Sequence, residues 1–159
     1  MATLTPEQIN EIAQELDSGF KCYWNKKSNE LLFIPDELRH PDMEIEHWED
    51  DLKKLKKNRK DFKEIPPLEP RDSLKMMREF IGTLSDSNSL KETLLDAMNK
   101  SKAFREFKFV IDNSGDYRQK WFDFKNQKLE EWVRERFEEI ISPTVALFLA
   151  TQIFFLLKI

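Results

Sequence analysis

The sequence predicts an α+β fold: an N-terminal helix and a small antiparallel sheet, followed by a C-terminal helical bundle. Three observations carry that reading. The charged share of 35% exceeds the ordinary value of about 25%, as long solvated helices require. Only 3 glycines in 159 residues argue against a sandwich, a Gly-rich phosphate loop or any turn-dense β fold. One stretch near the N-terminus, Phe20 to Ile34, switches from helical spacing to the two-residue period of strands.

Length and composition set the frame. At 19.1 kDa the chain fits one compact domain, read as a lobe of helix and sheet (1–66) joined to a helical lobe (67–139), with an uncharged tail at 140–159. The apolar share of 40%, with 13 Phe and 4 Trp, suffices for a core. A net charge of −4 gives no bulk attraction to nucleic acid, although a local basic face would suffice. A single cysteine, Cys22, excludes an internal disulfide and a multi-cysteine metal site, and suits a reducing compartment. The opening MATLTPEQINEIAQEL has no basic start before an apolar run, so it does not read as a secretion signal. A cytoplasmic location is the expectation.

Each element has a local cause. Thr5-Pro6-Glu7-Gln8 starts a helix, with Thr5 as cap, Pro6 at the first helical position and Gln8 completing a capping box. Ile9, Ile12, Ala13 and Leu16 form one apolar stripe, and Gly19 offers the stop. Phe20–Trp24 and Glu30–Ile34, separated by the polar Asn25–Asn29, read as a hairpin. Two strands alone are marginal in water, and Phe62–Ile65 is the candidate third strand. Pro41 to Lys60 reads as a charged helix, acids first and bases last, with Ile45, Trp48, Leu52 and Leu55 as its stripe. Ile65-Pro66-Pro67-Leu68-Glu69-Pro70 is a stiff connector. Four helices follow. The first runs from about Arg71 to Leu84, with Leu74, Met77, Ile81 and Leu84 inward. The second carries Leu90, Leu94, Leu95 and Met98. The third carries Ala103, Phe104, Phe107, Val110 and Ile111, and stops at Asn113-Ser114-Gly115. The long fourth starts near Asp116 and shows Tyr117, Trp121 and Phe124, then, after a drift, Trp132, Val133 and Phe137.

Several of these phrases together resemble the bacterial uncharacterised protein family 0158. They are FKCYWNKKSNELLFIP, FKEIPPLEPRDSLKMMREFI and, above all, KAFREFKFVIDNSGDYRQKWFDFKNQKLEEW, over roughly Gln8 to Glu139. The resemblance implies an α+β bacterial protein and no particular activity, substrate or partner. The tail departs from the family's pattern.

Three stretches hold candidate chemistry. His40 to His47 sets both histidines beside carboxylates, and Glu44 and His47 have the i,i+3 spacing of metal ligands. An acidic helix entry explains the same residues more simply, so no metal and no cofactor is assigned. Lys53 to Lys60 reads as the basic end of a charge-zoned helix rather than a phosphate strip. The third and fourth helices interleave aromatics with Lys102, Arg105, Lys108, Arg118, Lys120, Lys125 and Lys128. Phe104, Arg105, Lys108, Arg118, Trp121 and Lys125 are therefore the candidate binding residues. A single-stranded nucleic acid would stack on such rings while cations track its backbone. The aromatic stripes also fit a core with basic residues flanking it. Arg118, beside Trp121, is expected half-buried against a carboxylate. No nucleophile stands beside a base, and no catalytic residue is named.

From Ile140 to Leu157 the chain is uncharged, about 27 Å of helix against a hydrocarbon thickness of ~30 Å. Three readings stand: a buried helix of the fold or of a self-associated pair, a membrane anchor, or non-native sequence from a shifted reading frame. Thr151 and Gln152 interrupt its middle and disfavour insertion. The functional expectation is a non-catalytic interaction or adaptor protein with a protein partner. The alternatives are a nucleic-acid-binding module and an enzyme whose acidic site is visible only in three dimensions.

Overall fold

The computed structural model describes residues 2–143, so the expectations placed on 144–159 lie outside it. The described chain divides into two compact units: residues 2–67 with 129–143, and residues 68–128.

The first unit opens with α1 (Pro6–Asp17), whose start is the expected capping box. Gln8 N–H donates to Thr5 Oγ1 (3.2 Å) while Thr5 N–H donates to Gln8 Oε1 (3.0 Å), satisfying two donors the helix leaves unpaired. Ile9, Ile12, Ala13 and Leu16 are its buried stripe. Gly19 follows at φ +87°, a backbone that side chains rarely adopt, and turns the chain into the sheet.

Three strands form that sheet: β1 (Phe20–Asn25), β2 (Leu31–Pro35) and β3 (Phe62–Ile65), in the order β2-β1-β3 and antiparallel throughout. The third strand is where the sequence put it, and Cys22 lies opposite both Phe33 and Ile65. The hairpin turn is held by asparagines. Asn25 Oδ1 accepts from the N–H groups of Lys27 (2.9 Å) and Ser28 (3.1 Å). Asn29 takes φ +62° and accepts the Trp24 indole N–H at 2.7 Å.

Alternation along the strands gives the sheet two apolar faces. Leu32, Ile34 and Phe62 pack with Leu55 and half-buried Leu52 of α2 (Glu49–Lys57). Cys22, Trp24 and Ile65 point the other way and are buried too, with Trp24 meeting Phe137 edge-on at 4.8 Å. Burial, with the nearby charges of Glu11 and Glu15, pushes the Cys22 thiol far above its ordinary range.

The charged segment Pro41 to Lys60 is not one helix. A 3₁₀ turn (Ile45–Trp48) precedes α2, and residues 36–44 are turns. Met43 N–H turns back to the His40 carbonyl (3.2 Å), and Glu44 takes an extended backbone (φ −67°, ψ 108°), which interrupts helical geometry before Ile45.

The second unit holds α3 (Pro70–Gly82), α4 (Ser89–Met98), α5 (Ala103–Asp112) and the first half of α6 (Tyr117–Ile141). Glu69 and Asp72 cap α3 reciprocally, with Pro70 at its first position. Its buried face is Met76, Met77, Phe80 and Ile81, so Met76 and Phe80 join where Leu74 and Leu84 were expected. Leu95, expected inward on α4, is 46% exposed; Leu94 and Ala97 fill the contact instead. The drift in α6 has a cause. Trp121 serves the second unit, whereas Leu129, Trp132, Val133 and Phe137 are buried in the first. Among the described residues no helix is long and apolar enough to cross a membrane.

Candidate functional site

The candidate residues fall on α5 and the first half of α6, all within the second unit. α5 is strongly amphipathic. At 100° per residue, Phe107 and Ile111 share one side and are buried, while Arg105, Lys108, Phe109 and Asp112 occupy the other. The helix ends where Asn113 Nδ2 donates to the Phe109 carbonyl (2.8 Å) and Gly115 takes φ +62°.

The inward side is aromatic. Trp121 is 7% exposed, with its ring 4.9 Å from Phe107 and 5.3 Å from Phe80 in edge-to-face contacts, and Phe124 stacks beside it at 6.4 Å. These pairings favour the geometry over simple area burial. They make Trp121 a centre of the unit's core rather than a ring open to solvent.

Phe104, expected on the buried stripe, is 42% exposed, and Phe109 is 68% exposed. The sequence reading passed over Phe109. The signal was available: it lies two residues from Phe107, which on a helix is the opposite side.

Cations surround these rings, and each central carboxylate serves two of them. Glu106 takes Arg105 Nη2 at 3.1 Å and Lys100 Nζ at 3.3 Å. Asp112 takes Lys108 Nζ, and Arg118 Nε at 3.3 Å. Hydrogen bonds from Arg105, then Lys100, hold Glu106 below the usual carboxylate range, and those from Lys108, then Arg118, do the same for Asp112. Arg118 is more open than expected, and its guanidinium also lies 4.8 Å over the Phe122 ring. Lys125 is half-buried. The structure thus brings Phe104, Arg105 and Lys108 to the surface of one helix with Arg118 joined through Asp112, and leaves Trp121 inside. Residues 100–128 carry eight Lys and Arg against four Asp and Glu, a surplus within a chain of net charge −4.

Among the described residues no group of three His, Cys, Asp or Glu is placed to hold a metal ion. The surface offers exposed rings, cations and paired carboxylates.

Residues 3–145 match the model of an uncharacterised protein family, UPF0158. The chain belongs to that family. The match reaches beyond both ends of the expected stretch and takes in the first residues of the uncharged segment. A UPF0158 protein of Pseudomonas aeruginosa is similar: 26% identical over 132 residues, covering 82% of this chain and 80% of the relative. No solved structure matches the chain. Membership of UPF0158, an uncharacterised family, carries no activity with it.

Proposed function

We propose that this UPF0158 protein works by binding rather than by chemistry, as a cytoplasmic interaction or adaptor protein whose contact surface is the outward side of α5. Phe109 carries the reading: it is 68% exposed, opposite the buried side of its own helix, with Arg105 and Asp112 as helical neighbours. Burying such a ring on a partner is worth about 1.5–3 kcal/mol. Aromatic residues and arginine are also the side chains that dominate protein interfaces. Glu106 and Asp112 among the cations make a surface of mixed sign, which suits the polar rim of a protein contact better than the track of a polyanion.

A photo-crosslinking residue placed at position 109 in the intact chain tests this in cells. Discrete protein adducts are expected, absent when the same residue replaces exposed Lys53 and, with the residue moved to position 105, lost on Phe109→Asp. Identical adducts at both positions would sink the proposal.

One observation favours a second reading, single-stranded nucleic acid, namely the cation surplus in residues 100–128. It requires binding that falls steeply with salt and weakens when Arg105, Lys108 and Lys125 are replaced. Absence of binding at low salt removes it.

A further inference from the structure

The first unit holds a separate feature, independent of α5. Residues 36–44 turn after β2, and His40 is held against the segment Ser18–Phe20 as they do so. Its Nε2 lies 2.7 Å from the Ser18 carbonyl oxygen and its ring centroid 5.4 Å from that of Phe20. Gly19 leaves no space beside it, since a Cβ there would sit 3.0 Å from His40 Nε2 and 2.9 Å from Arg39 Cδ. The reversal opens a cleft of about 350 Å³ lined by Pro35, Glu37, His40, Pro41, Met43 and Ile45. That volume is within the range of small-molecule sites.

The lining has one chemical bias. A carbonyl oxygen only accepts, so His40 Nε2 carries the hydrogen, and in that tautomer of the imidazole Nδ1 is an acceptor. Glu37 is an acceptor as well, and among the described residues its carboxylate has no hydrogen-bond or ion-pair partner. Pro35, Pro41, Met43 and Ile45 bring no side-chain donor. The side chains of the cleft therefore offer two acceptors, apolar walls and no free donor. The field has the same sense: residues 36–51 carry eight Asp and Glu against the single Arg39. A cleft lined by one sign of charge concentrates the opposite ion.

We infer that this cleft binds an organic cation, an alkylammonium head facing Glu37 with its aliphatic stem against Pro35, Pro41, Met43 and Ile45. A bare metal ion would need three or four protein ligands, a number the described residues do not assemble. An ammonium group needs only acceptors, and its stem gains from the apolar walls. Two sources share this chemistry: a free polyamine, and a lysine side chain presented by another protein.

Backbone amide NMR on the intact chain at low salt separates the outcomes. The probes are butylammonium, putrescine, the methylamide of N-acetyl-lysine, and butanol as the neutral control. The ammonium probes should shift amides of residues 35–45, with dissociation constants of about 0.1–10 mM. Glu37→Gln, at an exposed position that the fold tolerates, should weaken binding about tenfold. Met43→Trp should fill the cleft and abolish it. Tighter binding of putrescine assigns the site to free amines, and tighter binding of the lysine derivative assigns it to a protein lysine. The inference is overturned if no ammonium probe shifts these amides, if butanol shifts them equally, or if Glu37→Gln binds as the wild type does.

Discussion

Phe107 and Phe109 sit two residues apart on one helix, yet their removal should have opposite consequences. Phe107 is 1% exposed with its ring against Trp121, whereas Phe109 is 68% exposed. Phe107→Ala leaves a ring-sized void that the aromatic neighbours cannot close, at a cost of about 3–5 kcal/mol. That is a large part of the 5–15 kcal/mol that holds a typical domain together. Phe109→Ala removes a ring already in water and should lie within about 0.5 kcal/mol of wild type. Urea unfolding followed with fluorine-labelled tryptophan makes the comparison clean. Trp121 is the one tryptophan in residues 68–128, so its resonance reports that unit alone. The reasoning fails if the two variants unfold at the same urea concentration. It fails equally if Phe109→Ala costs more than Phe107→Ala, for then Phe109 is structural and not available to a partner.

Four other outcomes follow from local geometry. Gly19→Ala should cost about 1–3 kcal/mol, because φ is +87° and the new Cβ meets Arg39 and His40. Gly82→Ala, helical with open space around it, should instead stabilise by about 0.4–1 kcal/mol, both read as shifts in urea midpoint. Cys22 should resist an aromatic disulfide reagent near pH 8 until the chain unfolds. Since its folded-state pKa is raised, stability is complete below the ordinary thiol value and falls as pH climbs past it, a loss that Cys22→Ala should not show. Glu106 and Asp112 have the reverse sign. Their folded-state pKa values are lowered, so their stabilisation is present above the ordinary carboxylate value of about 4 and is lost as pH falls through the lowered one. Acid titration of Glu106→Gln/Asp112→Asn should be correspondingly flatter than wild type.

Legibility in the sequence tracked the range of the cause. The α1 cap could be read because Thr5, Pro6 and Gln8 settle it among themselves. The third strand was legible because Phe62 and Ile65 stand between a charged stretch and two prolines. The late start of α2 was not, since acids before bases looks the same whether the helix begins at Pro41 or, after an extended Glu44 and a 3₁₀ turn, at Glu49. At the candidate site, the interleaved rings and cations read from the sequence lie on α5 and the first half of α6. Phe109 could be placed outward from its offset to buried Phe107, whereas the inward position of Trp121 depended on Phe80 and Phe107, a long-range fact that spacing along α6 does not contain. The switch of face within α6 was visible as a drift, but its partner was Trp24, at the far end of the described chain.

That last contact also bears on synthesis at the ribosome. Residues 68–128 have their buried aromatics in hand once Lys128 has been made. The sheet, although translated first, lacks the Phe137 ring that meets Trp24 until α6 is nearly finished. At about 5–20 residues per second the first strands wait several seconds with Cys22 and Trp24 incompletely covered. The nascent chain is therefore most exposed to aggregation and to chaperones during the interval in which its second unit is being translated.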